Sequence, residues 1–149
     1  MAMYTKKVMQ HFLKPRNVGR IANADGVGKA GNPVCGDVLV LYIKVGKRKK
    51  KAKSKSNVEE YNVEEYIKDI KFETLGCAAA IAVSSMLTEM VKGKTLEEAK
   101  KISNKDIVKA LGGLPQHKLH CSLLGQQALM KAIEDYERKK KKQKIKKQK

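Results

Sequence analysis

The chain holds three cysteines in 149 residues, and each has neighbours that could tune a thiol. Cys35 lies in "GNPVCGD" (31–37), two residues before Asp37. Cys77 follows Gly76 in "LGCAAA", and Cys121 follows His120 in "KLHCS", with Lys118 just upstream. A thiolate binds soft metals and attacks sulfur; a carboxylate or an imidazole offers a harder or borderline ligand; a nearby lysine lowers a thiol pKa. Each residue also has a plainer use. A cysteine packs as a small buried hydrophobe, and Asp37 can cap the turn made by Gly36. His120 can be a polar residue at a helix start, and Lys118 a solvated charge. His11 and His117 have no such neighbours and read as surface residues.

The elements that must carry these residues argue for chemistry. "MYTKKVMQHFLKP" spaces Tyr4, Val8, Met9, Phe12 and Leu13 as a helix that Pro15 stops. "NADGVGKAGNP" reads as loop with a short strand, and "VLVLYIKV" (38–45) as a central strand. "IKDIKFET" (67–74) alternates around Ile70 and Phe72 as its antiparallel partner, which makes the lysine run between them an enlarged hairpin loop, about 46–62. Within it lies the tandem repeat "NVEEYNVEEY" (57–66), too short for a repeat fold. "CAAAIAVSSMLTEMV" (77–91) has the small apolar pattern of a helix buried all round. Thr95 and Glu98 form a capping box, Ser103 is an N-cap, and Gly112–Gly113 with Pro115 stop the next helix. A last helix puts Leu124, Ala128, Leu129, Ala132, Ile133 and Tyr136 on one face. The predicted class is α+β: a small, about three-stranded antiparallel sheet with helices on one face. All three cysteines fall at element boundaries, two of them at helix N-termini where the helix dipole favours thiolate. Boundaries of a compact domain can converge at one end.

Charge sets a second expectation. "KRKKKAKSK" (47–55) and the tail 138–149 together account for sixteen of the net +18. The remaining body is nearly neutral, and such like-charge runs usually stay solvated and disordered. One domain, 1–137, followed by a disordered basic tail, 138–149, is the resulting organisation. Lysine runs attract phosphates, yet neither run contains an aromatic to stack on bases, so nucleic-acid binding is not the primary function predicted. No window suits a membrane span, no secretory h-region opens the chain, and three cysteines without CxxC make a disulfide framework poor. A soluble cytoplasmic protein with reduced thiols is expected.

"GNPVCGD", "FETLGCAAAIAVSSMLTEMVKGKTLEEA" and "LPQHKLHCSLL", with the early "HFLKPRNVG", together resemble the iron–sulfur cluster assembly scaffolds of the IscU type, related to the NifU amino-terminal domain. The resemblance implies a non-enzymatic scaffold that assembles a [2Fe–2S] cluster transiently. It takes sulfur as persulfide from a cysteine desulfurase and passes the cluster to apo acceptor proteins. The implied metal or sulfur ligands are Cys35, Cys77 and Cys121, with Asp37 as the site carboxylate and His120 as the alternative fourth ligand. Cys121 is the implied sulfur acceptor, and Lys118 the implied site-adjacent lysine. The chaperone-recognition stretch of the family commonly reads Leu-Pro-Pro-Val-Lys; here "LPQHK" keeps only Leu114, Pro115 and Lys118, which weakens that partnership. A homodimer is compatible with the resemblance. A SUF-type relative usually lacks the histidine beside its last cysteine, so "KLHCS" disfavours that version. A full NifU, which carries further cysteine-bearing modules, is disfavoured too. A zinc site built from the same Cys, His and Asp residues remains an open reading, as does, more remotely, a basic RNA-binding module.

Overall fold

Burial decides this architecture more than local propensity does. The computed structural model describes residues 4–32, 37–51 and 61–147. The order is α1 (Lys6–Leu13), β1 (Gly26–Asn32), β2 (Asp37–Lys51), β3 (Tyr61–Leu75), α2 (Ala78–Val91), α3 (Leu96–Lys100), α4 (Asn104–Ala110), a 3-10 turn (Gln116–Lys118) and α5 (His120–Lys147). The strands form one antiparallel sheet in the order β1-β2-β3. Leu39, Leu41 and Ile43 of β2 and Ile70 and Phe72 of β3 are buried on one face, against Ala79, Val83 and Leu87 of α2 and Ala128, Leu129, Ala132 and Ile133 of α5. Val40, Tyr42, Lys44, Lys71 and Glu73 line the opposite face and are only partly covered. The α+β prediction, with helices on one face, therefore holds.

The predicted caps are present. Thr95 Oγ1 accepts from the Glu98 N–H while Glu98 returns a bond to the Thr95 N–H, and Ser103 makes the same box with Asp106. Gly112 and Gly113 have φ of +79° and +111°, the left-handed conformations that end α4 without a β-carbon penalty.

Two sequence expectations change. The lysine run is not loop throughout: Lys47–Lys51 continue β2 and residues 61–66 continue β3, pairing Lys47 with Glu65, Arg48 with Glu64 and Lys49 with Val63. Cross-strand acidic partners neutralise part of the lysine repulsion that argued for coil; Arg48 Nε lies 2.6 Å from Glu64 Oε1, and its guanidinium stacks 4.7 Å above the Tyr66 ring. The centre of the predicted loop, 52–60, lies outside the described residues. Likewise α5 runs on to Lys147, so the basic tail continues a helix where coil was expected.

The sheet edges are covered. Outside β3, Gly19 N–H donates to the Phe72 carbonyl and Phe72 N–H to that of Asn17, while Ile67 exchanges bonds with Lys94 and Gly93. Along β1, the Val27 N–H donates to Asp135 Oδ2 and the Lys131 ammonium donates to the Lys29 carbonyl, both groups coming from α5. These edge groups are thus satisfied without a fourth full strand. A β-carbon on Gly26 or Gly28 would run into the Ala132 or Ala128 carbonyl oxygen, so these glycines let β1 lie directly on α5.

Candidate metal centre

Three elements begin or end at one place. Asp37 is the first residue of β2, Cys77 is the N-cap of α2 just after β3, and Cys121 is the second residue of α5. One ligand atom from each of these side chains lies within 4.8 Å of the others. The two sulfurs are 3.8 Å apart, and Cys121 Sγ is 3.7 Å from Asp37 Oδ2 and 3.6 Å from His120 Nε2. Asp37 and Cys121 are buried, at 4% and 1% exposure, while Cys77 is half-buried. Both cysteines are free thiols.

These distances fit a common ion. Two thiolates bound to one tetrahedral metal at about 2.3 Å stand about 3.8 Å from each other. The Cys77–Cys121 separation already has that value. Buried thiols without a partner charge have little reason to gather around a carboxylate, since burying Asp37 carries a desolvation cost that only polar or ionic partners offset.

The electrostatics modify the dipole expectation. Burial, reinforced by the neighbouring Cys77 sulfur and by Asp37, pushes the Cys121 thiol up to about 12. The start of α5 does not overcome that, so Cys121 holds its proton until a cation or base arrives. Lys118, in the 3-10 turn before α5, is the opposing influence. The Cys77 sulfur in turn raises the Lys118 pKa above its ordinary value, and burial works against it. Lys118 therefore stays cationic beside the thiols.

Of the predicted site residues, the fold brings Asp37, Cys77, His120, Cys121 and Lys118 together. Cys35 lies outside the described residues. Leu114 and Pro115 precede the 3-10 turn and are partly exposed. His117 is exposed, as expected, but His11 is not a surface residue. It is 8% exposed, and its Nδ1 shares a 2.7 Å hydrogen bond with Ser85 Oγ of α2, which also accepts the Arg16 N–H. Burial, then the charge of Arg16, lowers its pKa. Gly76 is the site residue that sequence reasoning passed over: it flanks Cys77, and only its lack of a side chain leaves room for the Asp37 carboxylate.

A three-stranded sheet with helices on one face defines an α+β domain, and two thiols and a carboxylate gathered where strand ends meet helix starts form a group that could hold a metal ion. Residues 3–143 match the NifU-like N terminal domain family, and the chain belongs to it. It is 55% identical over 137 residues to the iron-sulfur cluster assembly scaffold protein IscU 1 of Archaeoglobus fulgidus, covering 92% of this chain and 78% of the relative. It is 50% identical over 133 residues to the scaffold protein IscU of Aquifex aeolicus, covering 89% and 75%. Among solved structures, an N-terminal NifU-like protein from Brucella abortus superposes with a TM-score of 0.60 at 20% identity, over 91% of this chain and 94% of that one. A putative SUF-system scaffold from Fervidobacterium islandicum gives 0.59 at 24%, over 87% and 95%. These two likenesses concern the fold alone. Among the described residues no helix is long and apolar enough to cross a membrane.

Proposed function

We propose that this chain is a cytoplasmic scaffold on which a [2Fe–2S] cluster is built and from which it leaves. The observation that carries this reading is the Cys77–Cys121–Asp37 cluster, with its 3.8 Å sulfur pair, in a chain half identical to IscU scaffolds. Iron and sulfur are cargo here. Cys77 and Cys121, with Cys35, supply soft thiolates; Asp37 and His120 compete for the remaining position. A storage site would use four thiolates. A hard carboxylate or an imidazole holds iron less firmly than thiolate, so a mixed set supports release as well as assembly.

In this reading Cys121 accepts sulfur from the persulfide of a cysteine desulfurase: its thiolate attacks the terminal sulfur and the donor thiolate departs. The proton that burial holds on Cys121 must leave first. His120 Nε2, 3.6 Å away, takes it, and Lys118 stabilises the resulting anion. The protein turns over no small-molecule substrate of its own. The partners of this scheme are the desulfurase, apo iron–sulfur acceptors and, through Leu114, Pro115 and Lys118, a chaperone; a homodimer is compatible with it.

Anaerobic reconstitution with iron, cysteine and a desulfurase tests the scheme. Visible absorption of a [2Fe–2S] cluster should develop and move to an apo-ferredoxin on mixing. No colour, or colour that never transfers, would reject the scaffold reading. A zinc-binding sulfur acceptor of the SUF type is the second reading, favoured by the same tetrahedral sulfur spacing. It predicts tight stoichiometric zinc and persulfide on Cys121 without cluster formation.

A further inference from the structure

The described parts of the two lysine runs, 47–50 and 138–142, are some ninety residues apart in sequence and meet at the end of the molecule opposite the thiols. Asp37 opens β2 and Lys47, Arg48, Lys49 and Lys50 lie towards its end; Cys121 is in the first turn of α5 and Lys139–Lys142 lie about 30 Å along it at 1.5 Å per residue. Lys47, Lys139 and Lys140 line one depression of about 250 Å³, together with Ala24, Asp25 and Tyr136. Glu65 of β3 ties the two runs together by pairing with Lys140 at 2.5 Å. Lys47, Lys49, Lys50, Lys141 and Lys142 are exposed and make no ion pair among the described residues.

We propose that this end is a docking surface for the phosphodiester backbone of single-stranded nucleic acid, read without regard to sequence. Lysine presents a mobile point charge that binds phosphate without demanding one fixed geometry, and lysine is depleted from protein–protein interfaces. The fold also supplies what neither run contains. Tyr136 is packed partly against the core but also lines this depression, and its ring is the stacking surface assigned to an unpaired base, since the Tyr66 ring is already covered by Arg48. Because the lysines of this surface sit far along β2 and α5 from Asp37 and Cys121, nucleic acid held here leaves the thiols open, and the surface acts as a tether independent of cluster chemistry.

The test is fluorescence anisotropy of the full chain with a labelled 20-nucleotide single-stranded RNA, across a salt series. Log K should fall linearly with log salt, with a slope of about −0.7 for each phosphate neutralised, hence roughly −2 to −4. Lys49→Gln/Lys50→Gln/Lys141→Gln/Lys142→Gln, which breaks no ion pair among the described residues, should weaken binding at least tenfold. Lys47→Glu/Lys139→Glu should do the same, Tyr136→Leu should weaken it several-fold, and Cys121→Ser should bind as the parent does. Binding flat with salt, or unchanged in both lysine variants, would overturn the proposal. So would a polyglutamate of equal charge that competes as well as RNA, which would reassign the surface to an acidic protein.

Discussion

A β-carbon on Gly76 would stand 3.0 Å from Asp37 Oδ1 and 2.9 Å from the β-carbon of Ala80, so the Asp37 carboxylate occupies space that the glycine leaves empty. Gly76→Val should displace Asp37 from Cys121 while the core, which Gly76 does not join, stays folded. The expected result is native far-UV circular dichroism with cluster yield on reconstitution cut several-fold.

Asp37 itself is the hard member of the donor set. Asp37→Ala leaves the thiols and His120 in place and removes the anchor proposed to exchange. Transfer of the cluster to an apo-ferredoxin should slow by about tenfold, within the range seen when groups around a metal site are removed. An unchanged transfer rate would show that Asp37 takes no part in release.

The Cys121 thiol, raised from 9.0 to about 12, links folding to pH. An unfolded chain loses this proton near 9 and the folded one only near 12, so the native state binds more protons between them. Metal-free protein should therefore lose stability as pH rises through that window, by up to about 1.4 kcal/mol per pH unit from this group. Urea unfolding of the parent and of Cys121→Ser isolates the contribution, which the serine variant should lack.

His11 and Ser85 lock α1 onto α2 at 2.7 Å. Ser85→Ala orphans both the Arg16 N–H and a ring nitrogen, and should cost about 1–3 kcal/mol in urea unfolding. Burial and Arg16 lower the His11 pKa, so the unfolded chain takes up this proton first as pH falls below 6.5. The stability it contributes is present above that pH and is lost below it; His11→Asn should flatten this acid limb.

β1 rests on α5 through two glycines. Gly28→Ala drives a methyl group into the backbone at Ala128 and Ala132, where no rotamer change relieves it. A loss of about 3 kcal/mol is expected, the upper part of the range for overpacking, read as a lowered denaturation midpoint.

Where side-chain periodicity and caps decide an element, the sequence made it legible. The faces of α2 and α5 and the caps at Thr95 and Ser103 follow from local patterns, and they are observed. The strand β3 shows the limit. Ile67, Ile70 and Phe72 are all buried although Ile67 is out of step with the other two, because Lys68 is an extra residue between the pairs Val45–Ile67 and Lys44–Asp69. A bulge has no signature in alternation except its failure. Of the candidate site, Cys77, Cys121, Asp37, His120 and Lys118, which the fold brings together, were legible because such chemistry is rare enough to stand out. Gly76 and the His11–Ser85 pair were not, since one acts by an absent side chain and the other through a contact 74 residues apart in sequence.

The duplicated "NVEEYNVEEY" gains meaning from where β3 is anchored. Five residues added within a strand invert the facing of everything on one side of the insertion, because alternation has a period of two. In β3 the second copy ends at Tyr66, immediately before the buried Ile67, and the thiol end lies on the other side of that point. Only the far part of the hairpin changes phase, so this end of the molecule is free to be lengthened and rewritten by duplication while the chemistry keeps its frame.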